Sequence, residues 1–243
     1  MQAMIFAAGL GTRLKPLTDR IPKALVRVGG KTLLERVITK IKDAGADEIV
    51  VNVHHFSSQI IEYLRINDNF GRDIRISDES EQLLDTGGGL KKAAVLFGKD
   101  DPILIHNVDI LSNVDLKKFY LLNQLNEATL LVSERKTRRY LLFDDNMQLV
   151  GWTNIETGEV KSPYVNLDMA KCKMYAFSGI HLFSPHLFSY MQDFPDKFGI
   201  IDFYLEICNK IKVKGYVKEN LQLMDVGKLD TLSNAEKFIN KQI

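Results

Sequence analysis

The sequence predicts an α/β fold: a largely parallel sheet with helices on both faces and an antiparallel extension against its open side. Three observations carry this. Short apolar runs alternate with amphipathic helical stretches through residues 1–127, the order of repeated βαβ units. From residue 128 onward the alternation gives way to closely spaced strand-like segments. No Pro/Gly-rich linker, internal repeat or low-complexity tract separates the two parts, so one domain over 1–243 is expected, with halves 1–127 and 128–243.

The elements follow in order. Ala3–Ala7 is a short apolar run ending at Gly9, a buried strand feeding a loop. Leu33, Leu34, Val37, Ile38, Ile41 and Ala44 fall on one helical face, with Thr32 and Glu35 spaced as a capping box and Gly45 as the stop. Glu48–Val53 reads as a second buried strand. A short helix follows Ser57, where Phe56 and Ile61 are spaced as a hydrophobic staple, and Arg72–Ser77 alternates as a third strand. A helix is expected from about Gly89 to Leu96, a strand over Pro102–Asn107 and a helix over Val114–Asn126. In the second half Thr129–Val132, Tyr140–Phe143, Gln148–Trp152 and Tyr175–Phe183 read as strands, with a turn at Asp145-Asn146. Helices near Pro185–Met191 and Ile201–Lys210, strands at Val213–Val217 and Leu221–Met224, and an amphipathic helix carrying Leu229, Leu232, Ala235, Phe238 and Ile239 complete the chain.

Bulk properties exclude several function classes. The 243 residues carry 32 basic and 31 acidic side chains, a net charge of +1 that argues against nucleic acid or a membrane surface as partner. No apolar run reaches membrane-spanning length, and the N-terminus lacks the charged and apolar regions of a signal peptide; a cytoplasmic monomer or small homo-oligomer is the expectation. Cys172 and Cys208 form neither a CxxC pair nor a cluster with histidine, so neither a disulfide framework nor a zinc site is expected.

The most informative stretch is AAGLGTRLKPLTDRIPKAL, Ala7 to Leu25, which opens where the first strand ends, the edge at which α/β sheets bind ligands. Gly9 and Gly11 allow a tight turn that presents N–H groups to phosphate oxygens. Arg13 supplies a forked cation suited to a polyphosphate, and Pro16 and Pro22 stiffen the loop so that Lys23 returns to the same place. A dinucleotide fingerprint does not fit, because Leu14 holds the third glycine position; a P-loop GxxxxGK[ST] is absent. Asp109 and Asp225 each follow an apolar strand, and two carboxylates from distant strand ends suit Mg²⁺, which takes one or two protein carboxylates alongside phosphate and water. Alone, an Asp at a strand end is more often a turn or helix cap.

The stretch resembles the signature of the nucleotidyltransferases that make NDP-sugars, GxGTRLxPLTxxxPKxLxxV, matching at Gly9, Gly11, Thr12, Arg13, Leu14, Pro16, Leu17, Thr18, Pro22, Lys23, Leu25 and Val28. Asp85-Thr86-Gly87-Gly88-Gly89 makes the chain most similar to the short N-acetylmuramate-1-phosphate uridylyltransferase branch. The resemblance implies a Rossmann-like three-layer α/β/α nucleotidyltransferase fold with a mixed central sheet. It implies transfer of a nucleotidyl group, from UTP first, to a sugar 1-phosphate with Mg²⁺, giving NDP-sugar and pyrophosphate. The implied nucleotide-binding residues are Ala8, Gly9, Leu10, Gly11, Thr12, Arg13, Lys23, Gly87 and Gly88. Arg13, Lys23 and Asp109 are the implied catalytic set, Asp109 and Asp225 the metal carboxylates, and Asn107 and Gly179 the sugar-phosphate contacts. The chain departs from the family's Asn-Gly-Asp at Val108, and Lys228-Leu229 replaces the usual Thr-Pro.

Other features read more plainly. The run Arg135-Lys136-Thr137-Arg138-Arg139 is expected to be a solvated hairpin end rather than an anion contact, as charge runs usually are. Trp152 fits a sugar pocket and a core equally. Guanylyl or cytidylyl transfer, with a mannose, heptose or choline phosphate acceptor, and a catalytically silent nucleotide-binding subunit stay open as alternatives. A glycosyltransferase of similar topology lacks its Asp-x-Asp, since the triplet here is Asn107-Val108-Asp109.

Overall fold

The computed structural model describes residues 1–240. In chain order the strands and helices are β1 (Gln2–Phe6), β2 (Arg27–Val28), β3 (Lys31–Thr32), α1 (Leu33–Asp43), β4 (Glu48–Val53), α2 (Ser57–Ile66), β5 (Asp73–Asp78), α3 (Asp85–Ala93), β6 (Ile103–Asn107), β7 (Ile110–Ser112), α4 (Leu116–Asn123), β8 (Ala128–Ser133), β9 (Arg139–Phe143), β10 (Leu149–Asn154), β11 (Glu159–Lys161), β12 (Lys173–Phe183), α5 (Ile200–Ile207), β13 (Val213–Val217), β14 (Leu223–Asp225) and α6 (Leu229–Asn240). The β5, β4, β1 and β6 strands run parallel; β12 pairs antiparallel to β6, β8 antiparallel to β12, and β13 parallel to β8. The expected mixed sheet is therefore present.

Alternation along β1 explains the three layers. Ala3 and Ile5 point into a core with α1, α2, α4 and α6, while Met4 and Phe6 point into a second core with α3 and α5. Helix α1 forms as its pattern predicts: Thr32 Oγ1 accepts the Glu35 N–H at 3.0 Å, and Gly45 takes the left-handed stop at φ 99°. Its Leu33, Leu34, Val37, Ile38 and Ile41 are buried, each contributing about 1.5–3 kcal/mol.

Three expectations are corrected, and several short strands are new. The second-half strands are less separate than expected: β8 and β12 lie inside the main sheet, and only β9–β10–β11 form a small antiparallel leaf, joined to it through Lys173–Tyr175 of β12. The helix expected at Gly89 begins at Asp85, so the three glycines lie inside its first turns; tertiary packing overrides their low helix propensity. Phe56 does not form a staple, because it is the left-handed N-cap of α2 and Ile60, not the 39% exposed Ile61, turns into the core. The hairpin β2–β3 and the short strands β7 and β11 have no counterpart in the sequence reading, since two or three residues show no period.

Candidate active site

The site lies at the carboxyl ends of β1, β4 and β6, where the sheet reverses direction at β12. A cavity of about 370 Å³ opens there, lined among others by Ala8, Gly9, Lys23, Asn52, Asn107 and Asp109. Its floor is braced by a side-chain relay. Asn52 Oδ1 on β4 accepts the Ala7 and Ala8 N–H groups at 2.7 and 3.3 Å, and its Nδ2 donates to Glu79 at 2.7 Å. Glu79, fully buried, also accepts the Leu84 N–H at 3.1 Å; burial holds its carboxyl above the usual range. Asn52 and Glu79 were missed from sequence, where an Asn mid-strand and an Asp-Glu pair carry no distinctive spacing.

Beyond Ala8 the loop folds back on itself. Gly11 is left-handed at φ 64°, and a Cβ there would fall 2.9 Å from Thr18 Cγ2 and 3.0 Å from Lys23 Cβ. Thr18 Oγ1 donates to the Gly11 carbonyl at 2.8 Å, which draws the two arms of the loop together. Ala8, Gly9 and Lys23 line the cavity; Leu10, Gly11, Thr12 and Arg13 do not, and continue the loop away from Gly9, with Thr12–Leu14 a single 3₁₀ turn. Among the described residues no acceptor meets the N–H groups of Gly9 through Arg13, so this stretch of loop presents a run of free donors.

The acids converge from opposite halves. Asp109 sits in the break between β6 and β7. Asp225 ends β14, which pairs antiparallel with β7 so that Asp225 stands opposite Ile110, and the Val226 N–H donates to the Asp109 carbonyl at 2.8 Å. Lys23 Nζ donates to Asp109 Oδ2, both side chains being mostly buried. A Cβ added at Gly227 would fall 2.6 Å from Asp225 Oδ1 and 2.7 Å from Arg13 Nη2, so that glycine leaves room for both groups. Burial first, and the Asp109 charge second, hold the Asp225 carboxyl above the usual carboxylate range, with Lys23 and Arg13 opposing. Asp225 Oδ1 is buried and, among the described residues, meets no hydrogen-bond donor. Val108, where the family carries glycine, keeps an ordinary negative φ, and its N–H continues the β1–β6 pairing to the Phe6 carbonyl at 3.1 Å.

The remaining candidates divide. Asn107 lines the cavity. Gly179 does not; it sits at φ 74° in the β12 bulge, where a Cβ would fall 2.8 Å from Asn107 Nδ2, so it leaves room for the Asn107 side chain. Gly87 and Gly88 are turned away from the cavity: their N–H groups donate to the Phe198 carbonyl at 2.9 and 3.1 Å, and a Cβ at Gly88 would fall 2.0 Å from the Asp196 carbonyl oxygen. From the same helix it is Asp85 and Thr86 that line the cavity.

A second cavity of about 500 Å³ lies between β9–β10–β11 and α5, and Arg135, Thr137 and Arg139 line it beside Trp152. All four cations of the basic run are exposed, as expected of a solvated segment, and Arg135 and Arg139 at the same time line this cavity. The run's alternate residues face the cavity, while Arg138 turns away to pair with Glu156 at 2.8 Å.

The family model of the nucleotidyl transferases matches residues 2–141, more than half of the chain. The chain is 45% identical over 109 residues to N-acetylmuramate alpha-1-phosphate uridylyltransferase of Caulobacter vibrioides, covering 44% of this chain and 45% of that protein. It is 41% identical over 115 residues to the enzyme of that name from Neisseria meningitidis serogroup B, covering 47% and 49%. These matches thus span about half the length of each relative. Over its whole length the fold superposes on HddC from Yersinia pseudotuberculosis complexed with GMP-PN, with a TM-score of 0.75, 22% identity and 98% and 99% of the two chains covered. With the Gly9–Lys23 loop and the parallel β1–β6 core both inside the matched region, the chain belongs to the nucleotidyl transferase family.

Proposed function

We propose that this protein transfers the uridylyl group of UTP to a sugar 1-phosphate, N-acetylmuramate 1-phosphate foremost, and releases pyrophosphate. The observation that carries the reading is the meeting of Lys23 and Asp109 in the cavity, with Asp225 beside Asp109 and a loop of free backbone donors leading from Gly9. The nucleotide lies on the 1–127 side and the acceptor on the 128–243 side. The acceptor phosphate is already an anion, so no general base is required. Its oxygen forms a bond to the α-phosphorus as the bond from that phosphorus to the bridging oxygen breaks, and pyrophosphate leaves with the electron pair. The work of this chain is therefore positioning and charge neutralisation. The N–H groups of the Gly9–Arg13 loop and Arg13 hold the β- and γ-phosphates, Lys23 faces the α-phosphate, and Asn107 orients the acceptor phosphate.

The residues fit Mg²⁺. Two carboxylates close enough that the Asp109 charge raises the proton affinity of Asp225, which also has an unpartnered buried oxygen, suit a divalent cation that keeps phosphate and water as its other ligands. Asp109 and Asp225 would hold it, and it would supply neutralisation of the phosphate charge.

The test is a coupled pyrophosphate-release assay with Mg²⁺ that crosses the common NTPs against a panel of sugar 1-phosphates and phosphocholine. Release with UTP and N-acetylmuramate 1-phosphate is expected. Release only with GTP or CTP would move the assignment to the guanylyl or cytidylyl relatives. No release from a folded protein that still binds nucleotide would leave it a silent nucleotide-binding subunit.

A further inference from the structure

A smaller cavity lies behind β6, on the face that the transfer reaction does not use. Strand alternation turns Asn107 toward the active-site cavity and His106 toward the layer of α1 and α6. Arg36 and Lys40, four apart on one face of α1, meet His106 and Ser112 there around an opening of about 230 Å³. The rest of the wall is apolar, and no residue lining it is acidic.

The polar wall holds one acceptor among several donors. His106 is fully buried, and its Nδ1 lies 2.7 Å from the Asn107 carbonyl. A carbonyl only accepts, so the geometry assigns the proton to Nδ1 and a lone pair to Nε2. Nε2 is buried and meets no partner among the described residues. Burial first and the Lys40 charge second push the imidazole down to about 4, so it is neutral at neutral pH. Lys40 Nζ donates to the Ser112 carbonyl and Oγ, which leaves a third N–H. Arg36 commits Nε and Nη2 to the Val28 and Gly29 carbonyls. Burial lowers both cations, Lys40 to about 8, with Asp115 opposing at Lys40 and Glu35 and Glu236 opposing at Arg36. An anion beside them would offset that desolvation.

We propose that this cavity binds inorganic phosphate, with Lys40 and Arg36 on its anionic oxygens and His106 Nε2 accepting from its hydroxyl. A neutral acceptor set among cations selects an oxyanion that still carries a proton. Hydrogen phosphate carries one throughout the neutral range. Sulfate carries none, and a phosphomonoester, with a second pKa of about 6, has lost its own by pH 7.5. Either would set an oxygen lone pair against Nε2 and leave that buried nitrogen unsatisfied. The site stands on the opposite face of β6 from the Gly9–Lys23 loop, so it does not depend on the nucleotidyl-transfer reading.

Calorimetric titration of inorganic phosphate, sulfate and methyl phosphate onto the intact protein at pH 7.5, with and without UTP in EDTA, tests the site. Phosphate should bind about 10- to 100-fold more tightly than either of the others, the effect of one buried hydrogen bond made or left unmade. It should also move the Nε2 resonance of one imidazole in nitrogen-15 spectra, a signal missing from His106→Gln. Lys40→Met should weaken phosphate at least about tenfold and leave the affinity for UTP within about twofold. The comparison of anions needs no variant, so a misfolded variant would not shelter the proposal. No phosphate binding, equal affinity for the three anions, or phosphate that UTP displaces and Lys40→Met still binds would overturn the site.

Discussion

Alanine substitution at two glycines separates packing from ligand contact. At Gly88 a Cβ would lie 2.0 Å from the Asp196 carbonyl oxygen and 3.1 Å from Leu84 Cβ. The first neighbour is backbone, so α3 and the 196–198 segment must part by roughly 1 Å before ordinary contact is restored. That movement pulls on the two N–H bonds to the Phe198 carbonyl. Overpacking costs about 1–3 kcal/mol and each weakened hydrogen bond about 1 kcal/mol, while alanine returns about 1 kcal/mol of helix propensity. The net loss for Gly88→Ala is about 3 kcal/mol, a fall of about 6–12 °C in melting temperature for a domain of this size. Gly9 is the contrast. A Cβ there meets nothing within 4 Å, yet Gly9 lines the cavity. Gly9→Ala should leave the melting temperature within about 1 °C and raise KM for the NTP about tenfold, since a methyl group stands where phosphate would meet backbone. Thermal and urea denaturation followed by circular dichroism, with pyrophosphate-release kinetics on the same samples, reads both. A Gly88→Ala protein that melts within 2 °C of wild type but loses nucleotide affinity would refute the packing argument and return the triple glycine to ligand binding.

Three further outcomes follow from the site. Asp225 has a folded-state pKa held above its unfolded value, so the stability it contributes is present below about pH 4 and lost as pH rises through the folded value. In EDTA at pH 7.5, Asp225→Asn should therefore melt roughly 2–4 °C above wild type, a gain of about 1 kcal/mol after solvent screening, and the gap should close toward pH 4; a wild type that melts higher at pH 7.5 refutes this. Asn52→Ala removes the acceptor of two backbone N–H groups and strands the buried Glu79, so a loss of about 3 kcal/mol is expected in urea unfolding, and a change under 1 kcal/mol would show the relay is dispensable. Lys23→Ala should cut pyrophosphate release by at least about 100-fold with an unchanged circular dichroism spectrum, and a near-normal rate would remove Lys23 from the chemistry.

Much of the fold was legible because its signals are local. The α1 pattern with its Thr32 cap, and β4 and β13 to the residue, follow from side-chain periodicity that one segment carries by itself. The loop from Gly9 to Lys23 was legible for another reason: glycine, proline and cation at fixed spacing constrain one stretch of backbone. Gly87–Gly89 were misplaced relative to their helix because their reason for being glycine lies elsewhere in the chain: Phe198 and Asp196 crowd Gly87 and Gly88 from more than 100 residues away, and Glu79 and Asn52 crowd Gly89. Glu79 and Asn52 were silent for the same cause: Asn52 is explained by Ala7, Ala8 and Glu79, and Glu79 by Asn52 and Leu84, partners no local pattern announces. The basic run at Arg135–Arg139 shows the limit most directly. Its charge is plain in the sequence, but which residues face the cavity depends on pleat and on the register of β9 against β10.

By itself the sequence determined that this chain is a mixed α/β protein with a phosphate-suited loop at its first strand end, because hydrophobic period, capping and loop stiffness act between near neighbours. Tertiary structure alone decided that Asp225 stands one register step from Asp109, that Arg13 reaches the Asp225 side through the space left at Gly227, and that two arginines of a charge run share a wall with Trp152. Those juxtapositions arise from strand pairing and close packing between segments far apart in the chain, and no local pattern encodes the distance between them.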